Sequence, residues 1–488
     1  MDKAIILMSI IFPIAGGSLL FCYQPKTDSL RNCYCEAVAA ATTILVWMAV
    51  CFGRRGAFTA LRFTQGFTLS FHMDGLTLFY AALISIMWPL CLLYAFEYME
   101  HAEEKNRFFA FYLMTYGITL GVAFSGNILT LYVFYEMLSL VTLPLVAHYE
   151  DYESLYAGRV YAAYTVGGAG LALIAVIWAT DLGGGAFAYG GSAFDGAARS
   201  VMLLIYFFGF YGFGVKSAVF PLSYWLPTAS VAPTPVTALL HAVAVVNSGV
   251  FAVTRLTWFV FRPEELHGSW VQITVLSVTA FTLLFEALQA VRERRFKKRL
   301  AISTCSNLSY MLFGILLMTP AGLRAGLSHF LFHSLIKISL FLCAGAFMHQ
   351  TGNNYVFETD GVGWKMPKTF VLYTIGALSL TGIPLFSGFV SKWNLILSGI
   401  AEGSVPAIIG TVCLIAASFF CAIYTLSVSV RAFYPVPGRE KRYEGTNVKD
   451  PSIRMLLPIS VFIGANILFG IWPGPVMGFL GKIAEGLL

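Results

Sequence analysis

The chain has 488 residues, of which 58% are hydrophobic and 11% charged, with a formal net charge of +6 and a mean hydropathy of +0.75. A soluble domain carries roughly 25% charged residues, and a soluble fold of this length needs more polar surface than this composition supplies, so a soluble fold is excluded. The nine cysteines are scattered, only Cys33 and Cys35 lie close together, and there is no C-x-x-C, so no disulfide framework, zinc site or iron–sulfur site is indicated.

Apolar runs of about 20 residues recur from end to end, which is the signature of membrane-spanning helices. In chain order, helices 1 to 7 are predicted at 4–22, 35–52, 74–96, 108–124, 127–147, 160–180 and 200–221. Helices 8 to 14 follow at 235–256, 270–290, 300–318, 322–346, 369–397, 406–431 and 455–480. The N-terminal run, MDKAIILMSIIFPIAGGSLLF, reads as a retained first helix: no small-residue cleavage site stands out, and further helices follow. No polar stretch is long enough for a soluble domain, so residues 1–488 are expected to form one membrane domain.

Lys and Arg in the connecting loops choose the orientation. With Arg255, Arg324 and Arg431 at helix ends counted in the adjoining loops, the loops after odd-numbered helices hold 19 of the 31 Lys/Arg, against 9 in the other loops and termini. The bias rests on RERRFKKR (Arg292 to Arg299) and on the stretch from Arg431 to Arg454, which four intervening helices place on one side. Both termini are then expected on the non-cytoplasmic side of the cell membrane. These loops account for the net charge without a nucleic-acid partner. Gly183–Gly191 lacks the Lys-Ser/Thr of a phosphate-binding loop and reads as a flexible outer loop.

Ionisable residues inside such helices cost roughly 2.5–3.5 kcal/mol each on insertion scales and call for a reason. Glu136 sits in LTLYVFYEMLSLVTLPL, with no other charge within ten residues on either side. Lys216 comes late in helix 7 and His241 early in helix 8. Helix 11 carries His329, His333 and Lys337; steps of four residues turn about 40° each, so the three form one slanting stripe. Lys392 lies in helix 12, with apolar residues continuing after it. A lone histidine such as His241 can simply bond a neighbouring helix, and Glu136 with Lys216 can be a structural ion pair. Glu286 and His349 read as interfacial, Asp74 as favouring the start of helix 3, and His101 to Arg107 as a solvated loop. As a set, carboxylate, lysines and histidines at membrane depth suit a proton relay, because a lysine between burial and a mobile carboxylate can change protonation.

Lys216 is followed by Pro221 and Pro227, and Lys392 is preceded by Gly382 and Pro384. Proline interrupts helix hydrogen bonding, and transporters build ion sites at such breaks in paired inverted repeats. Helices 4–8 (105–256) and 9–13 (270–433) form two five-helix blocks, each with its broken, lysine-bearing helix fourth. Helices 1–3 (1–100) precede them and helix 14 follows. The expected fold is an all-α polytopic membrane protein of about 14 transmembrane helices, with two inverted five-helix repeats and broken helices 7 and 12.

The stretches YVFYEMLSL, GVKSAVFPLSYWLPTASVAPTPVTALLHA, KKRLAISTCSNLSYMLFGI, HFLFHSLIKISLFLCAGA and TGIPLFSGFVSKWNLIL, in that order over roughly residues 70 to 435, carry a family resemblance. The chain resembles the antiporter-like membrane subunits shared by respiratory complex I, Mrp-type cation/proton antiporters and energy-converting membrane-bound hydrogenases. The resemblance implies a central polar axis in which Glu136 is the helix-5 glutamate and Lys216 its helix-7 partner. It makes His241 the helix-8 connector (lysine in some relatives), His329, His333 and Lys337 the helix-11 relay, and Lys392 the helix-12 terminal residue (glutamate in some relatives). It implies no catalytic centre, metal or cofactor in this chain. Iron–sulfur clusters with nickel–iron or flavin are expected in peripheral redox partners, and homologous antiporter-like chains among the membrane partners. The largest complex I subunit of this type has a helix-6 Arg and Asp where this chain has Thr165 and Gly168. With its end at Leu488, the chain is expected to be a short-form member without a lateral arm. The expected function is proton or sodium translocation in a redox-driven complex; the alternatives are a subunit of a Mrp-type Na+/H+ antiporter or a structural anchor that pumps nothing.

Overall fold

The computed structural model describes residues 2–23, 25–53, 55–64, 67–183, 185–191, 194, 198–438 and 442–488. Gly184 of the Gly-rich segment and residues 439–441 of the second basic stretch lie outside the described residues.

The N-terminal part runs α1 (Asp2–Cys22), α2 (Asp28–Phe52), β1 (Gly56–Arg62), β2 (Thr68–Met73), α3 (Gly75–Tyr98), α4 (Lys105–Ala123), α5 (Ile128–Val146), α6 (Tyr152–Asp181) and α7 (Arg199–Gly214). Shorter pieces follow: α8 (Trp225–Thr228), α9 (Thr234–Ala242), α10 (Val245–Arg255) with a π-helical turn at Leu256–Val260, and α11 (Pro263–Leu266). The remainder is α12 (Trp270–Arg292), α13 (Phe296–Leu316), α14 (Pro320–Thr351), α15 (Pro367–Thr381), α16 (Ser387–Glu402), α17 (Val405–Phe433), α18 (Ile453–Ile471) and α19 (Gly474–Ala484).

Local chemistry sets many of these ends. Thr27, Asp74, Asn127, Asp151, Ser269, Thr319 and Ser404 each accept a backbone N–H of the first helical turn, the preferred N-cap arrangement. Gly352, Gly382 and Gly403 end α14, α15 and α16 in the left-handed conformation that glycine adopts most easily.

Ten stretches among the described residues are long and apolar enough to cross a membrane, with Thr234–Val260 counted as one. The fourteen-helix expectation is consistent with this architecture, the expected breaks in helices 7 and 12 are present, and helix 8 and the last predicted helix are segmented as well. Helix 7 stops at Gly214, helix 12 divides into α15 and α16, helix 8 is interrupted between α9 and α10, and the predicted 455–480 helix divides into α18 and α19. The all-α expectation also omits the antiparallel hairpin of β1 and β2, which pairs Gly56 with Met73 and Arg62 with Thr68. Two such short strands are marginal alone. They are held by the link between α4 and α5, where the His72 N–H donates to the Phe124 carbonyl (2.9 Å) and the Gly126 N–H to the Ser70 carbonyl (2.8 Å).

Burial separates inner from outer helices. α14, 32 residues long, is almost wholly enclosed and packs against α9, α13, α15, α16, α18 and α19. The α9–α10 stretch is entirely buried. α2, α6 and α17 present exposed apolar side chains such as Ile44, Ile177 and Phe419, a surface suited to lipid.

Candidate ion-translocation site

Glu136 projects from the middle of α5 and is half-buried; its Oε1 is buried without a protein hydrogen-bond partner. Lys216, expected late in helix 7, lies just beyond the end of α7 in a turn. It is fully buried, its Nζ donates to the Tyr135 carbonyl, and it stands 3.5 Å from the centroid of the Tyr135 ring. The Tyr135 hydroxyl in turn donates to the Phe213 carbonyl at 2.7 Å, so one tyrosine ties the end of α7 to α5. Trp225 Nε1 donates to the Val215 carbonyl at 2.9 Å from the other side of the break. Gly249 of α10 lets this turn approach: a Cβ there would lie 2.6 Å from the Ser217 nitrogen and 2.9 Å from the Lys216 carbonyl carbon. Lys216 therefore reaches α5 at the residue before Glu136, and among the described residues no ion pair joins the two.

His241 is in the last turn of α9, fully buried, with neither ring nitrogen bonded to protein. Its ring lies 5.0 Å from that of Phe341 on α14. The chain breaks directly after it, although HAVAVV contains neither proline nor glycine. Tertiary partners supply what the helix loses. The Tyr80 hydroxyl, from α3, lies 2.8 Å from the Val243 carbonyl and 3.2 Å from that of Ala244. Asn247 Nδ2 donates to the Ala242 carbonyl (2.6 Å) and to Ser334 Oγ on α14 (2.8 Å). Backbone groups opened at membrane depth persist only where such partners exist.

The stripe on α14 is present as expected, and α13 completes it. His329, His333 and Lys337 are all buried, and the two histidine rings are 5.8 Å apart. Lys337 Nζ donates to the Leu300 carbonyl (2.9 Å) and to Ser303 Oγ. Asn307 Nδ2 donates to the Ser303 carbonyl (2.7 Å), which turns Asn307 Oδ1 towards His329 Nε2 (3.3 Å). His329 Nδ1 meets Ser391 Oγ at 2.9 Å, and Ser391 also reaches the Gly388 carbonyl at 3.2 Å. With Nε2 as donor, a neutral His329 accepts from the Ser391 hydroxyl. A protonated His329 would donate to Ser391, whose hydroxyl would then turn to Gly388, so this geometry can accommodate either protonation state with one hydroxyl rotation. Both nitrogens of His333 are buried without a protein partner.

Lys392, beside Ser391 on α16, is 5% exposed. Its Nζ donates to the Leu380 (2.7 Å) and Thr381 (3.2 Å) carbonyls, at the C-terminal end of α15 where the helix dipole favours a cation. It stands 5.1 Å from the Tyr310 ring, which stacks on His329 at 5.2 Å. The break itself is closed by Asn466 of α18, whose Oδ1 accepts from the Ser379 (2.7 Å) and Ser387 (2.5 Å) hydroxyls. Gly388 passes so near Ser379 that a Cβ would sit 1.9 Å from its carbonyl oxygen.

Several residues escape the sequence reading. The polar face Ser303, Asn307 and Tyr310 of α13 was legible as a spacing of four and three in an apolar helix. Lys297, counted with a basic loop, is nearly buried and donates to the Ala232 carbonyl (2.6 Å) ahead of α9. Glu286, expected at the interface, is buried. Asp74 does cap α3 through the Thr77 N–H (2.9 Å), but it also forms a two-pronged ion pair with fully buried Arg255 at 2.5 and 2.8 Å. Burial pushes the Asp74 carboxyl up, and the Arg255 guanidinium outweighs it, holding the group at about 2. Among the described residues no group of three or more His, Cys, Asp or Glu side chains is placed to hold a metal ion.

A multi-pass helical membrane protein with lysines, histidines and a glutamate buried beside interrupted helices is the class these features define. Residues 125–419 match the family described as "NADH:quinone oxidoreductase/Mrp antiporter, TM", and the chain belongs to it. Residues 64–109 match "NADH-Ubiquinone oxidoreductase (complex I), chain 5 N-terminus". The chain is similar to the A/B component of a probable K(+)/H(+) antiporter of Rhizobium meliloti (strain 1021), 30% identical over 85% of this chain and 41% of the relative. It is similar to the A1 component of the Na(+)/H(+) antiporter of Staphylococcus aureus (strain Newman), 29% identical over 84% of this chain and 53% of the relative. The chain thus spans about half the length of these curated relatives. In fold it resembles a chain of the membrane-bound sulfane sulfur reductase, an archaeal respiratory membrane complex, with a TM-score of 0.87, 21% identity, and 99% of this chain and 97% of that one covered.

Proposed function

We propose that this chain is a proton- or sodium-translocating subunit of a multisubunit, redox-driven membrane complex. The observation that carries the reading is the buried run from Lys337 through Ser303, Asn307 and His329 to Ser391, next to Lys392. It offers groups that gain and lose protons, with the Ser303 and Ser391 hydroxyls free to rotate beside them and Asn307 held on the Ser303 backbone carbonyl. His241 extends the line towards α9 through Phe341, and Lys216 and Glu136 stand at its far end on the α7 break and α5. In this reading Glu136, Lys216, His241, His329, His333, Lys337 and Lys392 carry the ion, and blocks 105–256 and 270–433 are the two inverted repeats. Support for the repeats is the placement of Lys216 and Lys392, each at an interrupted helix and each bonded to backbone carbonyls. Homologous membrane chains and peripheral redox subunits with iron–sulfur clusters and nickel–iron or flavin are the proposed partners. The proposed location is the cell membrane, with both termini on the non-cytoplasmic side.

A second reading, a subunit of a sodium–proton antiporter without redox chemistry, is favoured by the names of the two curated relatives. One experiment separates them. The assembly is purified in mild detergent through a tag on this chain, and its subunits, iron, nickel and flavin are measured. Iron with nickel or flavin supports the redox-driven complex; only membrane partners and no metal supports the antiporter.

A further inference from the structure

The two basic stretches, far apart in sequence, converge on one cavity. It measures about 680 Å3 and lies among the end of α12, the turn at Val356–Thr359 and the last turns of α17. Among the described residues its polar wall holds Arg294, Arg299, Arg431 and Ser427 and no carboxylate, and its apolar wall includes Phe357 and Ile423.

Arg299 is only 9% exposed. Its guanidinium donates to the Glu293 carbonyl (2.8 Å), the Tyr424 carbonyl (3.3 Å) and the Ser427 hydroxyl (3.2 Å). No ion pair answers its charge among the described residues. Arg294 is exposed and likewise has no acidic partner among them. Arg431 pairs with Asp360 at 3.1 Å and still faces the cavity. A guanidinium withdrawn from water with only neutral acceptors is costly, and an anion in the cavity removes that cost. Its planar fork fits phosphate oxygens well.

The apolar wall says what carries the phosphate. Ile423 is 43% exposed and Phe419, one turn before it on α17, is 67% exposed, so the cavity opens onto a surface suited to lipid. α12 and α17 also enclose a second cavity of about 540 Å3, lined by Phe281, Leu284, Leu288 and Ile409, which can take an acyl chain. A free phosphate would leave both apolar features without a use. We propose that Arg294, Arg299 and Arg431 bind the phosphate of an anionic phospholipid whose chains lie along α12 and α17. This site is separate from the ion path and stands or falls without it.

The test uses the assembly purified through this chain, delipidated, then offered phosphatidylglycerol, phosphatidylcholine or inorganic phosphate, with bound species read by native mass spectrometry. Phosphatidylglycerol is expected to be retained over phosphatidylcholine. Arg299→Gln should abolish that preference. Arg294→Gln, at an exposed side chain without an acidic partner among the described residues, should leave folding intact and weaken retention about fivefold. Equal retention of the two lipids, or unchanged retention in both variants, overturns the proposal. So does protection by inorganic phosphate with no phosphatidylglycerol bound, which makes the cavity a free-anion site. Lipid binding only after a neighbouring protein is removed gives the cavity to an acidic group of that protein and likewise overturns it.

Discussion

Replacing Lys216 by methionine separates ion transfer from folding, because the two effects of the change differ greatly in size. The substitution keeps chain length and volume. It removes a charge-assisted hydrogen bond to the Tyr135 carbonyl, about 1.5–3 kcal/mol. It also removes a cation–ring contact with Tyr135 at 3.5 Å, about 2 kcal/mol when shielded from water. Against these losses, the variant no longer holds an ammonium in a fully buried position, a relief of several kcal/mol. The contributions nearly cancel, so assembly should stay within about 2 kcal/mol of the parent. A thioether carries no proton, so flux should fall to background. The assay is the purified assembly in liposomes with an internal pH dye, alongside size exclusion to confirm assembly. Lys216→Arg sharpens the test: arginine keeps charge and donors but does not release its proton. Flux surviving in Lys216→Met, or restored by Lys216→Arg, would refute the reasoning.

Gly249→Ala should lower thermal stability by about 1–3 kcal/mol, since its Cβ meets the Ser217 nitrogen at 2.6 Å; an unchanged melting temperature in detergent would contradict this. Tyr80→Phe removes the hydroxyl that reaches the carbonyls at the α9–α10 break and should cost about 1–3 kcal/mol, with faster amide exchange near Val243 as the local readout. Asp74→Asn leaves Arg255 buried without its carboxylate and should cost about 3–5 kcal/mol. Because the Asp74 carboxyl is held down from 3.8 to about 2, its stabilisation is complete above 3.8 and disappears as the pH falls through about 2. The gap in melting temperature between parent and Asp74→Asn should therefore narrow on acidification, and a gap that widens would show the ion pair to be misassigned.

Much of the fold was legible because the bilayer imposes a severe composition rule. Twenty apolar residues in a row have few other uses, and Glu136, Lys216 and Lys392 stand out because they break that rule. Pro221, Pro227, Gly382 and Pro384 marked two helix interruptions through their own backbone chemistry. Caps such as Asn127 and Asp151 carry local signals of the same kind.

What stayed hidden depends on partners distant in sequence. The break after His241 has no proline or glycine; Tyr80 from α3, and Ser334 from α14 acting through Asn247, make it possible. The hairpin at 56–73 exists because the α4–α5 link supplies hydrogen bonds to it. Arg255, at the end of predicted helix 8, has no visible partner in the sequence until the fold places Asp74 against it, 181 residues away. Glu136 and Lys216 were expected as partners, and the turn after α7 brings the Lys216 ammonium to the backbone carbonyl of Tyr135, the residue before Glu136. By itself the sequence determined that the chain lies in a membrane and which side chains violate that solvent, since both follow from the cost of moving each residue out of water. Which of those side chains touch, and through which hydroxyl, amide or carbonyl, only the tertiary structure decided, because a hydrogen bond a few ångströms long depends on how separate helices pack.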